Sequence, residues 1–413
     1  MGIKGQKTMN NILEENNIAH EYISIGRAKK ARRAYGFDEI SLVPNGNTLD
    51  YELCDTSWQI GGIELASPII ASAMDSVVSP DNAAEIYKNG ALPVINLQGI
   101  YTRYENYEEI LDQIAKCSRD EYVELMQKIY QEPIKDELIF KIIKKIKDSG
   151  SIAAVALAPF NANKYAPILE EAGVDMLFVQ VTVVGLEHQS LESKVEENPD
   201  SILDLKKFCA ERKVPVLVGN CTDYNVALKL MDTGISGLLI GIGPGAACTS
   251  RGVLGIGVPM ATSIADCKAA QIEYFKQTGK YISIIGDGGM AVGGDICKAI
   301  ACGADGVMIG SPFARTNEAP GKGFHWGMAT PSPVLPRGTR IEVGTECSTK
   351  ELLHGPARLD DGSQNLVGAL KTSMATLGAQ NIKEMQEVEL NIAPSILSEG
   401  KVYQKAQRLG MAR

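Results

Sequence analysis

From residue 67 onward, short and almost unbroken apolar runs alternate with segments whose apolar residues recur every three or four positions. The runs are "PIIASA" (68–73), "LPVIN" (92–96), "IAAVALA" (152–158), "DMLFVQV" (175–181), "VPVLVGN" (214–220), "GLLIGI" (237–242), "YISIIGD" (281–287) and "GVMIG" (306–310). Continuous apolar character is what parallel strands covered on both faces require. Segments such as "DNAAEIYKNG", "YAPILEEAG", "ILDLKKFCAERK", "YNVALKLMDTG" and "GGDICKAIACGA" read as the intervening helices, several of them ending on glycine. Eight strands in strict β–α alternation predict an α/β TIM (β/α)8 barrel, with a doubly wound open sheet as the alternative.

Two stretches interrupt the alternation. Residues 105–147 read as two or three amphipathic helices, an insertion too short for a second domain of ordinary size. Residues 1–34 form a polar N-terminal arm whose basic run "KKARR" (29–33) reads as solvated. The rest, 35–413, is expected to be one catalytic barrel without further domains.

Composition narrows the partners. With 45% hydrophobic and 22% charged residues the 413-residue chain is ordinarily globular. A formal net charge of −9 argues against nucleic acid or an anionic membrane as partner. No apolar run approaches the roughly 20 residues that span a bilayer. The polar start lacks an apolar signal core, so a cytoplasmic location is expected. Nine cysteines, an odd number without paired spacing, suggest free thiols in a reducing compartment. Four scattered histidines and no CxxC argue against structural zinc.

In such a barrel the chemistry lies in loops at the C-terminal ends of the strands. The loop after the sixth run, "GIGPGAACTSRG" (241–252), sets Cys248 among residues too small to fill a core. Thr249, Ser250 and Arg251 follow at once, and hydroxyls with a cation favour the thiolate. A buried, inert thiol is the competing reading for Cys248, and the leading one for the other eight cysteines. After the seventh and eighth runs come "GDGGMAVGG" and "GSPFARTNEAPGKG", glycine-rich loops able to aim backbone amides at a phosphate. Asp287 ends the seventh run, where a carboxylate can accept both ribose hydroxyls or cap a helix. Ser311 can cap a helix, donate to phosphate, or do both.

Together "YGFDEISLVP", "GIGPGAACTSR", "IIGDGGM", "GGDICKAIACGADGVMIGSPFA", "EAPG" and "HWGM" resemble the IMP dehydrogenase/GMP reductase family, in order from about Tyr35 to Gln386. The resemblance implies a TIM barrel assembled as a homotetramer or homooctamer. It implies that Cys248 attacks C2 of a purine nucleotide, GMP or IMP, to form a thioimidate, with Ser250 and Thr249 assisting. Asp287 would hold the ribose, Gly289, Gly310 and Ser311 would bind the 5′-phosphate, and Gly288 would belong to the same substrate site. Ser72, Met74, Met328, Ala329 and Arg337 complete the implied substrate site. Gln180, Thr182, Gly241 and Gly243 would border the nicotinamide cofactor. In some members a potassium ion sits on the cysteine loop, here the carbonyls of Gly243, Gly245 and Cys248.

Departures from the family pattern set the finer expectation. The insertion at 105–147 leaves no room for the usual regulatory CBS pair. "GPGA" replaces "GPGS", so Ala246 lacks a phosphate-binding hydroxyl, and "CTS" replaces "CTT". The usual aspartate after the fourth strand is absent, with Gln180 and Thr182 in its place. The flap, 325–347, is short and lacks the adjacent Arg-Tyr pair that activates water in the dehydrogenases. Arg337 stands where typical reductases carry a glutamate. These features resemble the CBS-less branch to which GMP reductase activity is assigned. The expectation is therefore an NADPH-dependent GMP reductase. An NAD-dependent IMP dehydrogenase and a catalytically silent nucleotide-binding relative remain the alternatives.

Overall fold

The structure is a computed structural model that describes residues 22–189, 202–327, 335, 338–394 and 399–412. The eight apolar runs become eight strands: β1 (Ile69–Ala71), β2 (Leu92–Asn96), β3 (Ala154–Leu157), β4 (Met176–Gln180), β5 (Val216–Cys221), β6 (Gly237–Ile240), β7 (Ser283–Asp287) and β8 (Gly306–Ile309). All pair in parallel with their neighbours, β8 with β1 and β4 with β5 among them, so the sheet closes into a barrel. The open-sheet alternative is thereby excluded.

Alternate residues of each strand face two cores. Ile70, Val94, Phe178, Leu217, Leu239, Ile285 and Met308 fill the barrel interior. Their neighbours Ile69, Ile95, Val179, Val218, Leu238, Ile284 and Val307 pack against the surrounding helices. Both faces of every strand are dry, which is why the sequence shows runs and no alternation. An antiparallel hairpin, Trp58–Ile60 with Ile63–Leu65, covers the N-terminal end of the barrel. Its Trp58 ring lies 2.7 Å from where a Cβ on Gly306 would be, so only glycine admits that ring.

Helix α1 (Ala83–Lys88) links β1 to β2. The insertion then folds as α2 (Tyr107–Lys116), α3 (Tyr122–Ile129) and α4 (Asp136–Asp148), each burying one apolar face. Helix α5 (Pro159–Ala172) restores the alternation. The basic run differs from its solvated reading: Tyr22–Gly26 and Lys29–Arg32 form an antiparallel hairpin. Lys29 and Lys30 are exposed, but Arg32 pairs with Asp266 at 2.5 Å. Flap strands Phe324–Trp326 and Arg340–Glu342 pair antiparallel.

Candidate active site

Three polar side chains stand at or next to the C-terminal ends of three barrel strands: Gln180 on β4, Asn220 on β5 and Asp287 on β7. The Asp287 carboxylate accepts from Asn220 Nδ2 at 2.7 Å and from Gln180 Nε2 at 2.9 Å. Part of Asp287 stays open at the mouth, yet burial pushes its carboxyl up to about 6, with the two amide donors acting against that rise. Among the described residues no lysine or arginine forms an ion pair with it. Gln180 carries a second irregularity. Its Oε1 is buried and finds no hydrogen-bond donor among the described residues. Asp287 therefore caps no helix; it is a carboxylate held ready by neutral donors.

The cysteine loop leaves β6 through Gly241, whose amide donates to the Cys221 carbonyl at 3.1 Å. Gly241 has φ +139°, and a Cβ there would lie 2.5 Å from the Asp287 carbonyl oxygen. Pro244 in turn packs over Gly289, where a Cβ would meet it at 2.9 Å. The two glycine-rich loops thus approach backbone to backbone. The Cys248 amide donates to the Gly245 carbonyl at 3.0 Å, closing a tight turn that presents the thiol to solvent. Cys248 Sγ lies 3.4 Å from Ser250 Oγ, the first residue of a short helix, Ser250–Leu254. The Arg251 guanidinium donates to the Val258 carbonyl and packs against Gly243 and Gly257. The cation expected beside the thiol is thus held by another partner.

The other cysteines have different surroundings. Cys117 and Cys209 are half-buried and the remaining six are buried. Burial pushes the Cys297 thiol up to about 11 and Cys302 up to about 12. A thiol held that high is not a nucleophile near neutrality.

Beyond β1, Ser72 is buried and donates its amide to the Ile309 carbonyl. Met74 Sδ and His325 Cε1 would lie 3.1 and 3.2 Å from a Cβ on Gly310, which keeps that wall of the mouth narrow. His325 is buried against Ser76 Oγ, and burial pulls its imidazole down to about 4, so it is neutral at pH 7. Gly310 holds the cap position of the short helix Ser311–Ala314, and Ser311 is that helix's first residue. The helix after the β7 loop, Gly293–Ala301, is capped by its own Asp295, which accepts from the amides of Ala291 and Val292. The Gly288 amide between these helices is already used, donating to the Met308 carbonyl at 3.0 Å. Thr182 lies half-buried just past β4. Met328, Ala329 and Arg337 lie outside the described residues.

Sequence reasoning missed three contributors. Asn220 was legible only as a polar residue closing an apolar run, and its bond to Asp287 required the barrel to close. Phe160, 59% exposed at the start of α5, and His188 present rings 6.3 Å apart beyond β3 and β4. No periodicity announces a pair built from two separate loops. Among the described residues no group of three or more His, Cys, Asp or Glu side chains could hold a metal, and no helix is long and apolar enough to cross a membrane.

Comparison with known proteins follows this geometry. Residues 34–329 match the IMP dehydrogenase / GMP reductase domain. An uncharacterized oxidoreductase of Mycolicibacterium smegmatis is 37% identical over 90% of this chain and 99% of its own length. The inosine-5′-monophosphate dehydrogenase of Methanocaldococcus jannaschii is 26% identical over 87% of this chain and 92% of its own. Among solved structures, an IMP dehydrogenase/GMP reductase-like protein from Corynebacterium glutamicum superposes with a TM-score of 0.83. It is 36% identical, over 90% of this chain and 97% of that one.

Proposed function

The chain belongs to the IMP dehydrogenase/GMP reductase family, and on that premise we propose that it reduces GMP with NADPH to IMP, ammonia and NADP through a covalent adduct on Cys248. The observation that carries this reading is the exposed Cys248 thiol, 3.4 Å from the Ser250 hydroxyl, in a mouth floored by the Asp287 carboxylate.

The nucleotide ribose donates its hydroxyls to Asp287 while Asn220 and Gln180 fix the carboxylate's orientation. The phosphate takes amides of the Gly289 and Gly310–Ser311 loops. Cys248 Sγ bonds to purine C2 and the C2–N bond breaks. Ser250, with Thr249 beside it, relays a proton to the departing ammonia. Bound NADPH supplies the hydride that replaces sulfur on C2, and the thiolate is restored. The buried acceptor Gln180 Oε1 suits a donor on that cofactor, as do the neighbouring Thr182, Gly241 and Gly243. The exposed ring of Phe160 opposite His188 offers a flat base a stacking surface. Cations on the Gly243, Gly245 and Cys248 carbonyls and assembly as a tetramer or octamer belong to the same proposal; rates in K+ against Li+ and sedimentation test them.

Reduction is favoured over dehydrogenation because hydrolysis of the adduct needs a base over C2, and residues 325–347 contain no Arg-Tyr pair. General acid–base help is typically worth about 10² to 10⁴ in rate. Assays of GMP with NADPH and of IMP with NAD on one preparation decide the direction. Oxidation of NADPH with GMP is expected to be the faster. Faster formation of XMP from IMP would make the protein a dehydrogenase, and silence in both with tight nucleotide binding would remove the catalytic reading.

A further inference from the structure

The helical insertion and the flap meet at one side chain. Arg340, on the returning flap strand, donates through Nη1 to the Ile114 carbonyl and through Nη2 to the Cys117 carbonyl at 2.8 Å. Nη1 also lies 3.2 Å from Cys117 Sγ. Ile114 and Cys117 stand at the C-terminal end of α2, where carbonyls lack intrahelical donors and carry the negative end of the helix dipole. The guanidinium is stacked between two rings, its carbon 4.5 Å from the Phe324 centroid and 5.4 Å from that of Tyr122 on α3. A planar, five-donor cation fits this slot, and an ammonium cannot reproduce the fork.

The two residues before Arg340 bind the cysteine loop. Gly338 donates its amide to Thr249 Oγ1 at 2.8 Å, and Thr339 donates to the Ala247 carbonyl at 3.2 Å. Ala247 and Thr249 flank Cys248. Consecutive Cα atoms are about 3.8 Å apart on an inextensible backbone, so a displaced Arg340 displaces both donors. Two further links hold the insertion nearby: Lys322, just before the flap, pairs with Asp112 on α2, and Tyr130, just past α3, ties the insertion to the barrel by donating to buried Asp75, beside Met74, at 2.5 Å.

We propose that the helical insertion anchors the flap's returning strand through Arg340, and that Arg340 is thereby a positioning residue for the Cys248 loop. The inference rests on Cys248 being the reacting group. Its role is local: the insertion sets where Thr249 and Ala247 hold the thiol, and Arg340 acts through the two donors that precede it.

Arg340→Met tests it with two readouts. Amide hydrogen exchange at Gly338 and Thr339 is expected to accelerate in the folded protein. The kcat is expected to fall by about 10² while the nucleotide KM stays within about a factor of two, because misplacing a reacting group costs rate more than it costs remote binding. Arg340→Lys should recover part of the loss, keeping charge and stem without the fork. Tyr122→Leu, which removes a ring from the insertion side alone, should move both readouts in the same direction, and it carries the test if Arg340→Met does not fold. Unchanged exchange at 338–339 overturns the proposal, and so does faster exchange with the parent's kcat. If the parent turns over neither nucleotide, the proposed reaction fails separately. The anchor is then judged by exchange and by the iodoacetamide alkylation rate of the Cys248 peptide, where a parental rate overturns it.

Discussion

Two aspartates on adjacent strands sit at opposite ends of the barrel, and their surroundings differ in kind. Asp305, just before β8 at the floor, accepts from Tyr281 Oη at 2.6 Å, Gln386 Nε2 at 2.9 Å, Lys383 Nζ at 2.5 Å and the Ile284 amide at 2.8 Å. Lys268 Nζ lies 4.0 Å away. Burial alone would push this carboxyl up, but Lys268 and Lys383 more than reverse it and hold it down to about 2. Asp287, at the mouth of β7, is pushed up to about 6 by burial against only two neutral amides. One carboxylate is fully compensated by the chain. Among the described residues the other meets two neutral amides and no cation, and on the proposed reading that contrast separates a structural charge from a binding charge.

The contrast can be broken by mutation. Cys248→Ala, at the mouth, is expected to lower kcat by about 10⁴ or more, since the covalent route is lost. The Tm and nucleotide binding should remain, as calorimetry and titration would show; retention of more than trace turnover removes Cys248 from the mechanism. Asp305→Asn, at the floor, should do the opposite. It strands buried Lys268 without its counterion, a loss of about 3–5 kcal/mol in denaturant unfolding, with kcat per folded molecule unchanged. A floor variant with parental stability would mean that the cluster is not the lock described here.

A smaller effect is expected from Asp287→Asn. Ribonucleotide affinity should fall by about 1.5–3 kcal/mol while a 2′,3′-dideoxy nucleotide binds parent and variant alike. Stability should be unchanged or raised, because the variant removes a poorly compensated buried charge. An undiminished preference for the ribonucleotide would remove Asp287 from the ribose site.

Smallest is the pH dependence, and its sign differs between the two ends. A native carboxyl raised to about 6 is more protonated than its unfolded counterpart between pH 4 and 6, so Asp287 weakens folding as pH rises through that window. Asp305, depressed to about 2, stabilises the fold above pH 4 and loses that contribution as pH falls toward 2. Since ribose needs the carboxylate, nucleotide affinity should decline below about pH 6 in the parent. The phosphate's second ionisation also lies near pH 6, so the informative quantity is the difference from Asp287→Asn. Identical profiles would place the titrating group elsewhere.

The barrel was legible because its strands are dry on both faces: "GLLIGI" and "YISIIGD" announce themselves without knowledge of their partners. Cys248 was legible for a related reason, since small residues around a thiol cannot form a core. The clasp of Gln180 and Asn220 on Asp287 was not, because it joins three strand ends brought together only by closure. Nor was Arg340, one arginine in an undistinguished strand until the end of α2 supplies its acceptors. In the basic run at 29–33, Lys29, Lys30 and Arg33 face water as read, but Arg32 finds Asp266 more than two hundred residues away, a pairing the run itself does not announce.

The central claim is that a purine becomes bonded to Cys248 and leaves by hydride transfer, not by hydrolysis. Rapid quenching of the enzyme with GMP, followed by mass spectrometry of the Cys248 peptide, tests it directly. The account predicts a peptide heavier by GMP less ammonia, which disappears on adding NADPH as IMP is released. An unmodified Cys248 peptide during turnover, or an adduct that water resolves to XMP, would contradict it.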